Sequence, residues 1–435
     1  MAAQGAVEHV ASLIEWNRRD AGIDHASASP REIASVAIVG AGTMGTAIAA
    51  ANVKAQLPVV ISDVEEKVLA GAGERIVAEL ANGENSGDSG GRDAVARWVT
   101  PTTDPARIAR CDLVIESVTE TPAVKQQLYG WLEPHLGAGA ILASNTSTIP
   151  IGRLAEGLAD GGRFCGLHFF HPVRRRPLVE VIRGPQTRDE TIATAVGYVK
   201  QIGKMPIVVD DGPGFLVNRL LLPYLTEALE LLSDGATIEA IERAATEFGM
   251  ALGPLRLLDE IGLDTALLAG RVLWDAFPER LVVSPLPVAL YKAGRLGRKS
   301  GRGFFFYPEG LELDRPGQPD PGVEPIIAAW ARPPQQLAPQ TITARLLLPM
   351  VLEATRILAE KKIRDPREID LVVLFGLGFP AARGGLLYWA DTLGPEKILA
   401  MLRDLEALGE RARPTPMLLE MAAAKRRFYD RRQVV

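Results

Sequence analysis

A doubly wound α/β sheet followed by two related all-helical domains is the fold this sequence predicts, and three observations carry the prediction. The first is a buried strand running into a glycine-rich turn, Ser35-Val-Ala-Ile-Val-Gly-Ala-Gly-Thr-Met-Gly45, with Asp63 eighteen residues further on. The second is a series of short apolar runs reaching to about Asp211, with helix patterns between the early ones. The third is a self-match at a constant offset of 126, in which Asn218-Arg-Leu-Leu-Leu-Pro-Tyr-Leu-Thr-Glu227 lines up with Ala344-Arg-Leu-Leu-Leu-Pro-Met-Val-Leu-Glu353. The boundaries that follow are 1–33 for an N-terminal helix and linker, 34–211 for the sheet domain, and 212–330 and 331–435 for the two helical domains.

The glycine-rich turn is the most informative stretch. Val36 to Val39 is apolar without a break, as in a strand buried on both faces of a parallel sheet. Gly40, Gly42 and Gly45 follow as G-x-G-x-x-G, and Thr43 to Gln56 reads as a helix of small residues. The first glycine permits the tight turn, the second lets backbone approach a pyrophosphate, and the third lets helix and strand pack closely. The helix start at Thr43 and Met44 offers free N–H groups to phosphates. Val59-Val-Ile-Ser-Asp63 is a second buried strand that ends in a carboxylate, suited to an adenine-ribose diol and repulsive to a 2′-phosphate. The pattern predicts a dinucleotide site that favours NAD over NADP.

At 435 residues, 47% hydrophobic and 23% charged, the chain has the composition of an ordinary soluble globular protein with sizeable cores. A net charge of −5 argues against nucleic acid or an anionic membrane surface as partner. No run of about 18 apolar residues occurs, and Glu8, Glu15, Arg18 and Arg19 spoil any signal-peptide reading, so no membrane insertion is expected. Cys111 and Cys165 sit in or beside apolar runs and read as buried free thiols in a reducing cytoplasm. With five histidines and neither C-x-x-C nor H-E-x-x-H, nothing suggests a metal.

Along the chain, Val7, Val10, Leu13 and Ile14 give an amphipathic helix ahead of an Ala/Ser/Pro connector. After Asp63, a helix from Lys67 to Leu80, the Gly/Ser-rich stretch Asn82 to Gly91, and Arg92 to Val99 form a helical hairpin. It is either a solvated surface loop or a movable flap over a long substrate. Strand patterns resume at 112–116, 140–143, 164–167, 178–182 and 206–209. Phe215 to Leu232 has helical spacing, with Pro223 placed to kink it and Gly235 to end it, and the Pro- and Gly-rich residues 308–340 read as a linker. Gly253-Pro254 with Phe379-Pro380, and Asp259 with Asp391, extend the repeat. The second copy has Ala344 where the first has Asn218, so chemistry at Asn218 would leave only the first copy active.

Gly166-Leu-His-Phe-Phe-His-Pro172 follows a buried strand, which puts its polar groups at the carboxyl end of the sheet, where open α/β folds bind ligands. Oxidising an alcohol requires a base for the hydroxyl proton, and His168 suits that near neutral pH. Glu180, twelve residues on in the next strand, could hold the other imidazole nitrogen. Asn145-Thr-Ser-Thr148 could hydrogen-bond a substrate oxygen or cap a helix. Arg174-Arg-Arg176 is either a solvated charge run or a contact for the phosphates of an acidic substrate.

Taken together, 40–45, 145–147, 166–173, 178–182, 213–220, 253–259, 262–265 and 297–304 resemble the L-3-hydroxyacyl-CoA dehydrogenase family, in order and at family spacing, from about residue 34 to the C-terminus. With its duplicated helical domain the chain looks most like the dehydrogenase half of the multifunctional fatty-acid oxidation complex alpha subunit. The resemblance implies a Rossmann-type sheet and helical domains like the C-terminal domain of 6-phosphogluconate dehydrogenase. It implies NAD-dependent oxidation of L-3-hydroxyacyl-CoA to 3-ketoacyl-CoA, as in fatty-acid β-oxidation, or the reverse. It makes His168 the general base and Glu180 its orienting carboxylate, and brings Ser147 and Asn218 to the 3-oxygen or thioester of the substrate. Asp63 would bind the adenine ribose, with Glu120, Lys125 and Asn145 toward the nicotinamide half.

Three departures stand against this pattern. His171 replaces the family's usual Asn or Ser in H-F-F-x-P, placing a second imidazole near the base. The stretch from Val68 to Val124 has no lysine for the CoA, which leaves Arg75, Arg92 or Arg97 as substitutes. The fused hydratase half is absent and residues 1–33 resemble only its linker helix, so no hydratase activity is expected. The resemblance allows a monomer with an internal pseudo-dimer or a homodimer, a hydratase or thiolase partner, and a cytoplasmic location. The rival readings are a dehydrogenase of another β-hydroxy acid and a catalytically weak scaffold subunit.

Overall fold

The computed structural model describes residues 2–19, 29–81, 88–309, 311 and 315–430, so the tip of the helical hairpin at 82–87 lies outside it. Two compact units emerge, Leu13–Phe215 and Met1–Ser12 with Leu216–Val435. Helix α1 (Ala2–Arg19) contributes to both.

The first unit is built on an eight-stranded sheet of β1 (Val36–Val39), β2 (Val59–Ser62), β3 (Val99–Pro101), β4 (Leu113–Glu116), β5 (Ile141–Ser144), β6 (Phe164–Phe169), β7 (Leu178–Arg183) and β8 (Met205–Asp210). The spatial order is β3-β2-β1-β4-β5-β6-β7-β8. Every neighbouring pair is parallel except β6 and β7, which are antiparallel. Alternate strand residues feed two apolar cores: Val36, Ile38, Ile61 and Ile115 on one face, Ala37, Val39, Val114 and Leu142 on the other. Both faces are covered, which is why the strands read as unbroken apolar runs. Helices α2 (Thr43–Lys54), α3 (Glu66–Ala70), α4 (Ala72–Ala81), α5 (Asp88–Trp98), α6 (Pro105–Ile108), α7 (Pro122–Leu132), α8 (Ile151–Leu154) and α9 (Asp189–Gln201) complete the unit. Cys111 and Cys165 are free and buried, and burial pushes their thiols up to about 11 and about 12.

Two details differ from the sequence reading. The helix predicted from Lys67 to Leu80 is two helices, α3 and α4, broken at Gly71. Glycine is a poor helix former, and a Cβ there would come within 2.7 Å of the Arg75 Nη1. Strand β3 was not predicted, because Val99 is half-buried and Thr100 and Pro101 are exposed, so no apolar run marks it. It pairs only with β2, at the sheet edge, where a proline is tolerated.

The second unit is helical: α10 (Val217–Ser233), α11 (Ile238–Phe248), α12 (Pro254–Ile261), α13 (Leu263–Ala276), α14 (Leu286–Lys292), α15 (Glu324–Ala328), α16 (Pro339–Ala359), α17 (Pro366–Val372), α18 (Leu386–Leu393), α19 (Pro395–Arg403) and α20 (Pro416–Ala423). Helix α10 continues through Pro223, and the segment read as a linker contains α15 and the short strand 318–319, which pairs with 305–306 just before it.

Helices α10 and α16 carry the two copies of the repeated decapeptide, and their charged residues meet reciprocally. Arg219 binds Glu353 (Nε to Oε1, 2.9 Å) and Glu360 (2.7 Å). Arg345 binds Glu227 (3.0 Å) and Asp234 (2.7 Å). Each residue of the second set lies 126 positions from its counterpart in the first. That is the pattern of a two-fold contact, in which i meets j and j meets i. The sequence pairing of Gly253-Pro254 with Phe379-Pro380 is corrected by the capping contacts. Glu242 accepts from Leu255 N at 2.9 Å at the start of α12, and Asp370 accepts from Leu387 N at 2.7 Å at the start of α18. Gly253, Asp259 and Gly262 therefore match Gly385, Asp391 and Gly394, at an offset of 132. The π-turn Val373–Leu377 and the 3-10 turn Ala381–Arg383 accommodate the lengthening of the second copy.

Candidate active site

Antiparallel pairing of β6 and β7 places His168 directly opposite Glu180, with both side chains on one face of the sheet. The His168 Nδ1 lies 2.6 Å from the Glu180 Oε2, and the residues are 4% and 0% exposed. A carboxylate at that distance holds Nδ1 as the protonated nitrogen and leaves Nε2 to receive a proton. The rings of Phe170, at 4.3 Å between centroids, and Phe215, at 6.0 Å, wall the imidazole. His171 is exposed on the turn after β6.

The ends of β4 and β5 carry a second polar cluster, in which sequence reasoning named Glu120, Lys125 and Ser147 but missed Glu116, Tyr129 and Ser144. Glu116 is fully buried and accepts four hydrogen bonds: from Lys125 Nζ at 2.6 Å, Tyr129 OH at 2.5 Å, Ser144 Oγ at 2.7 Å and Val118 N at 2.7 Å. Burial, with the Glu116 charge behind it, pushes the Tyr129 phenol well above its usual range, so it remains a donor. Lys125, 1% exposed, also reaches Glu120 at 3.2 Å. Glu120 in turn accepts from Thr146 Oγ1 at 2.7 Å and Ser147 N at 2.8 Å. The chain Glu116–Lys125–Glu120 thereby fixes the backbone of Ser147. Asn145 accepts from Phe169 N at 2.9 Å and ties β5 to the end of β6, one residue beyond His168. The available signal was Glu116 itself, a carboxylate closing an apolar strand run.

The glycine-rich turn has the geometry its spacing predicts. Gly40 has φ +106°, and a Cβ on Gly45 would lie 1.8 Å from the Gly40 carbonyl oxygen. A Cβ on Gly42 would meet no atom within 4 Å, and Gly42 and Thr43 are exposed at the start of α2. Close packing at Gly45 and an open face at Gly42 fit a pyrophosphate laid against the helix start. Asp63 lies just past β2 and accepts from Ala41 N at 2.8 Å and Glu65 N at 3.0 Å, which fixes its carboxylate beside the turn. Asn218 belongs to the helical unit, in the first turn of α10. Arg75, a sequence candidate for the CoA, instead donates to the carbonyls of Ala41, at 3.1 Å, and Val68. Arg92 and Arg97 are exposed on α5. Among the described residues no cluster of metal-ligating side chains occurs, and no helix is long and apolar enough to cross a membrane.

Residues 35–212 match the family model of the 3-hydroxyacyl-CoA dehydrogenase NAD-binding domain, and residues 214–307 and 342–432 match that of the C-terminal domain. The fold is similar to 3-hydroxybutyryl-CoA dehydrogenase from Escherichia coli K12, with TM-score 0.78 and 26% identity over 91% of this chain and 99% of that one. It is similar to (S)-3-hydroxybutyryl-CoA dehydrogenase PaaH1 from Ralstonia eutropha, with TM-score 0.60 and 38% identity over 64% of this chain and 100% of that one. The dehydrogenase part of multifunctional enzyme 1 from C. elegans matches with TM-score 0.67 and 28% identity over 92% of each chain. With a Rossmann-type sheet that carries a dinucleotide turn and an imidazole–carboxylate pair, and with both domain models matched in order, the chain belongs to the 3-hydroxyacyl-CoA dehydrogenase family and takes NAD as its cofactor.

Proposed function

We propose that this chain oxidises L-3-hydroxyacyl-CoA esters to 3-ketoacyl-CoA through a general base, His168, oriented by Glu180. The observation that carries the reading is the buried 2.6 Å contact between Nδ1 and Oε2. NAD, when bound, supplies the hydride acceptor. His168 Nε2 takes the proton of the 3-hydroxyl as hydride leaves C3, and the Glu180 carboxylate stabilises the resulting imidazolium. Ser147 and Asn218 donate to the 3-oxygen or the thioester carbonyl. Gly42, Thr43, Met44 and Gly45 hold the pyrophosphate, Asp63 the adenine ribose, and Asn145 and Glu120 border the nicotinamide. Lys125 is buried between Glu116 and Glu120, which supports a positioning role for it. The reciprocal packing of α10 on α16 supports a monomer with an internal pseudo-dimer.

The test is NADH formation at 340 nm with L-3-hydroxybutyryl-CoA and longer homologues, NAD⁺ and NADP⁺ run in parallel. Turnover with NAD⁺ is expected. A protein that binds NADH yet turns over no chain length would favour the scaffold reading. Glu180→Gln keeps the shape of the pair but removes its charge, and kcat should fall by about 100-fold. The KM for NAD⁺ should stay level, because Glu180 lies outside the dinucleotide turn. An equal fall in affinity for NAD⁺ would show that the substitution had disturbed the sheet instead.

A further inference from the structure

We propose that Arg75 is a dinucleotide-positioning residue: it ties the glycine-rich turn to the segment after Asp63 and offers its charge to the pyrophosphate of NAD. This deepens the proposed function and rests on it.

The turn has few free polar groups left. Gly40 N donates to Ser62 O at 2.8 Å, and Ala41 N donates to the Asp63 carboxylate at 2.8 Å. The Ala41 carbonyl is taken by Arg75 Nη2 at 3.1 Å, and the same nitrogen donates to the Val68 carbonyl. One residue, Ala41, is thus gripped by a carboxylate at its N–H and by a guanidinium at its C=O. Both grips come from the segment that follows β2, so the turn and the ribose carboxylate are set by one brace. The residues left facing outward are Gly42 and Thr43, at the start of α2.

The electrostatics go further than bracing. Arg75 is half-buried, bonds only to carbonyls, and pairs with no carboxylate among the described residues. Among the described residues its buried Nε has no hydrogen-bond partner. A half-buried guanidinium with no counter-ion is a ready partner for an anion. The anion this site is shaped for is a pyrophosphate, which sits against the turn that Arg75 holds. The missing side chain of Gly71 gives the guanidinium its room, since a Cβ there would press on Nη1 at 2.7 Å.

The experiment titrates NADH into the full chain, wild type and Arg75→Ala, Arg75→Met and Arg75→Lys, following nicotinamide fluorescence, with kcat measured at saturating NAD⁺. Loss of the charge should raise the NADH Kd by about tenfold in the Ala and Met variants. The Lys variant should recover most of that loss, and kcat should change by less than about twofold, because no reacting atom is touched. The rise should also shrink at high ionic strength, as expected for a charge contribution. Unchanged NADH affinity in Arg75→Ala, or a Lys variant as weak as Met, would overturn the proposal. A rise confined to the KM of the acyl-CoA would overturn it too, in favour of a CoA contact. Wild-type protein that fails to bind NADH would sink the dehydrogenase reading itself, so the two failures are distinguishable.

Discussion

Replacing His168 with alanine is expected to lower kcat/KM for the L-3-hydroxyacyl-CoA by about 10³- to 10⁴-fold. By transition-state arithmetic that is about 4–5.5 kcal/mol. The size follows from the site. His168 is 4% exposed and its Nδ1 is held by Glu180, so water has poor access to act as a substitute base. The NADH Kd should change by less than about twofold, because the dinucleotide turn lies on β1 and α2 and shares no hydrogen bond with the imidazole. Turnover retained in His168→Ala would remove the general base from the mechanism. Loss of NADH binding together with turnover would instead show that the sheet had been disturbed, and circular dichroism would report it.

The second large effect concerns stability. Arg345→Met should lower the unfolding free energy of the helical unit by about 3 kcal/mol, the lower end of the range for breaking a buried ion pair. Arg345 is 2% exposed and joins Glu227 and Asp234. Burial raises the Glu227 carboxyl, opposed by Arg411 and Arg345, and without Arg345 that acid keeps Arg411 alone. Asp234 likewise keeps Arg332, at 2.7 Å. These surviving partners place the cost at the low end. Calorimetry should show a drop in Tm on the order of 10 °C for the unit that contains α10 and α16. Adding Glu227→Gln to Arg345→Met should recover part of it, since the orphaned charge is then gone. A Tm within about 2 °C of wild type would mean that the pair contributes nothing net to stability.

Much of this was legible in the chain, and what was missed has physical causes. Strands buried on both faces write themselves as apolar runs, so the sheet around Val36–Val39 and Ile141–Ser144 could be read directly. The edge strand Val99–Pro101 could not, because an exposed edge needs no apolar pattern. The glycines declared the dinucleotide turn through their spacing, while the grip of Arg75 on it is a tertiary contact, made beside Gly71, that no periodicity records. His168 and Glu180 could be guessed as partners from adjacent strand patterns, but only the antiparallel register makes them opposite neighbours. The Glu116 cluster joins residues from β4, α7 and β5, and linear spacing carries no trace of such a meeting. The repeat was visible where the offset is constant and misaligned where the second copy lengthens between Asp370 and Leu386.

The reversal of chain direction between β6 and β7 also has a consequence for how the active enzyme comes into being. His168 and Glu180 are twelve residues apart, joined by backbone pairing within one unit. Such a contact closes a short loop and needs no distant segment to arrive first. Asn218, by contrast, lies in the other unit. The imidazole–carboxylate pair is therefore prefabricated within the sheet unit. Lesions scattered through the helical unit should leave that pair fully formed.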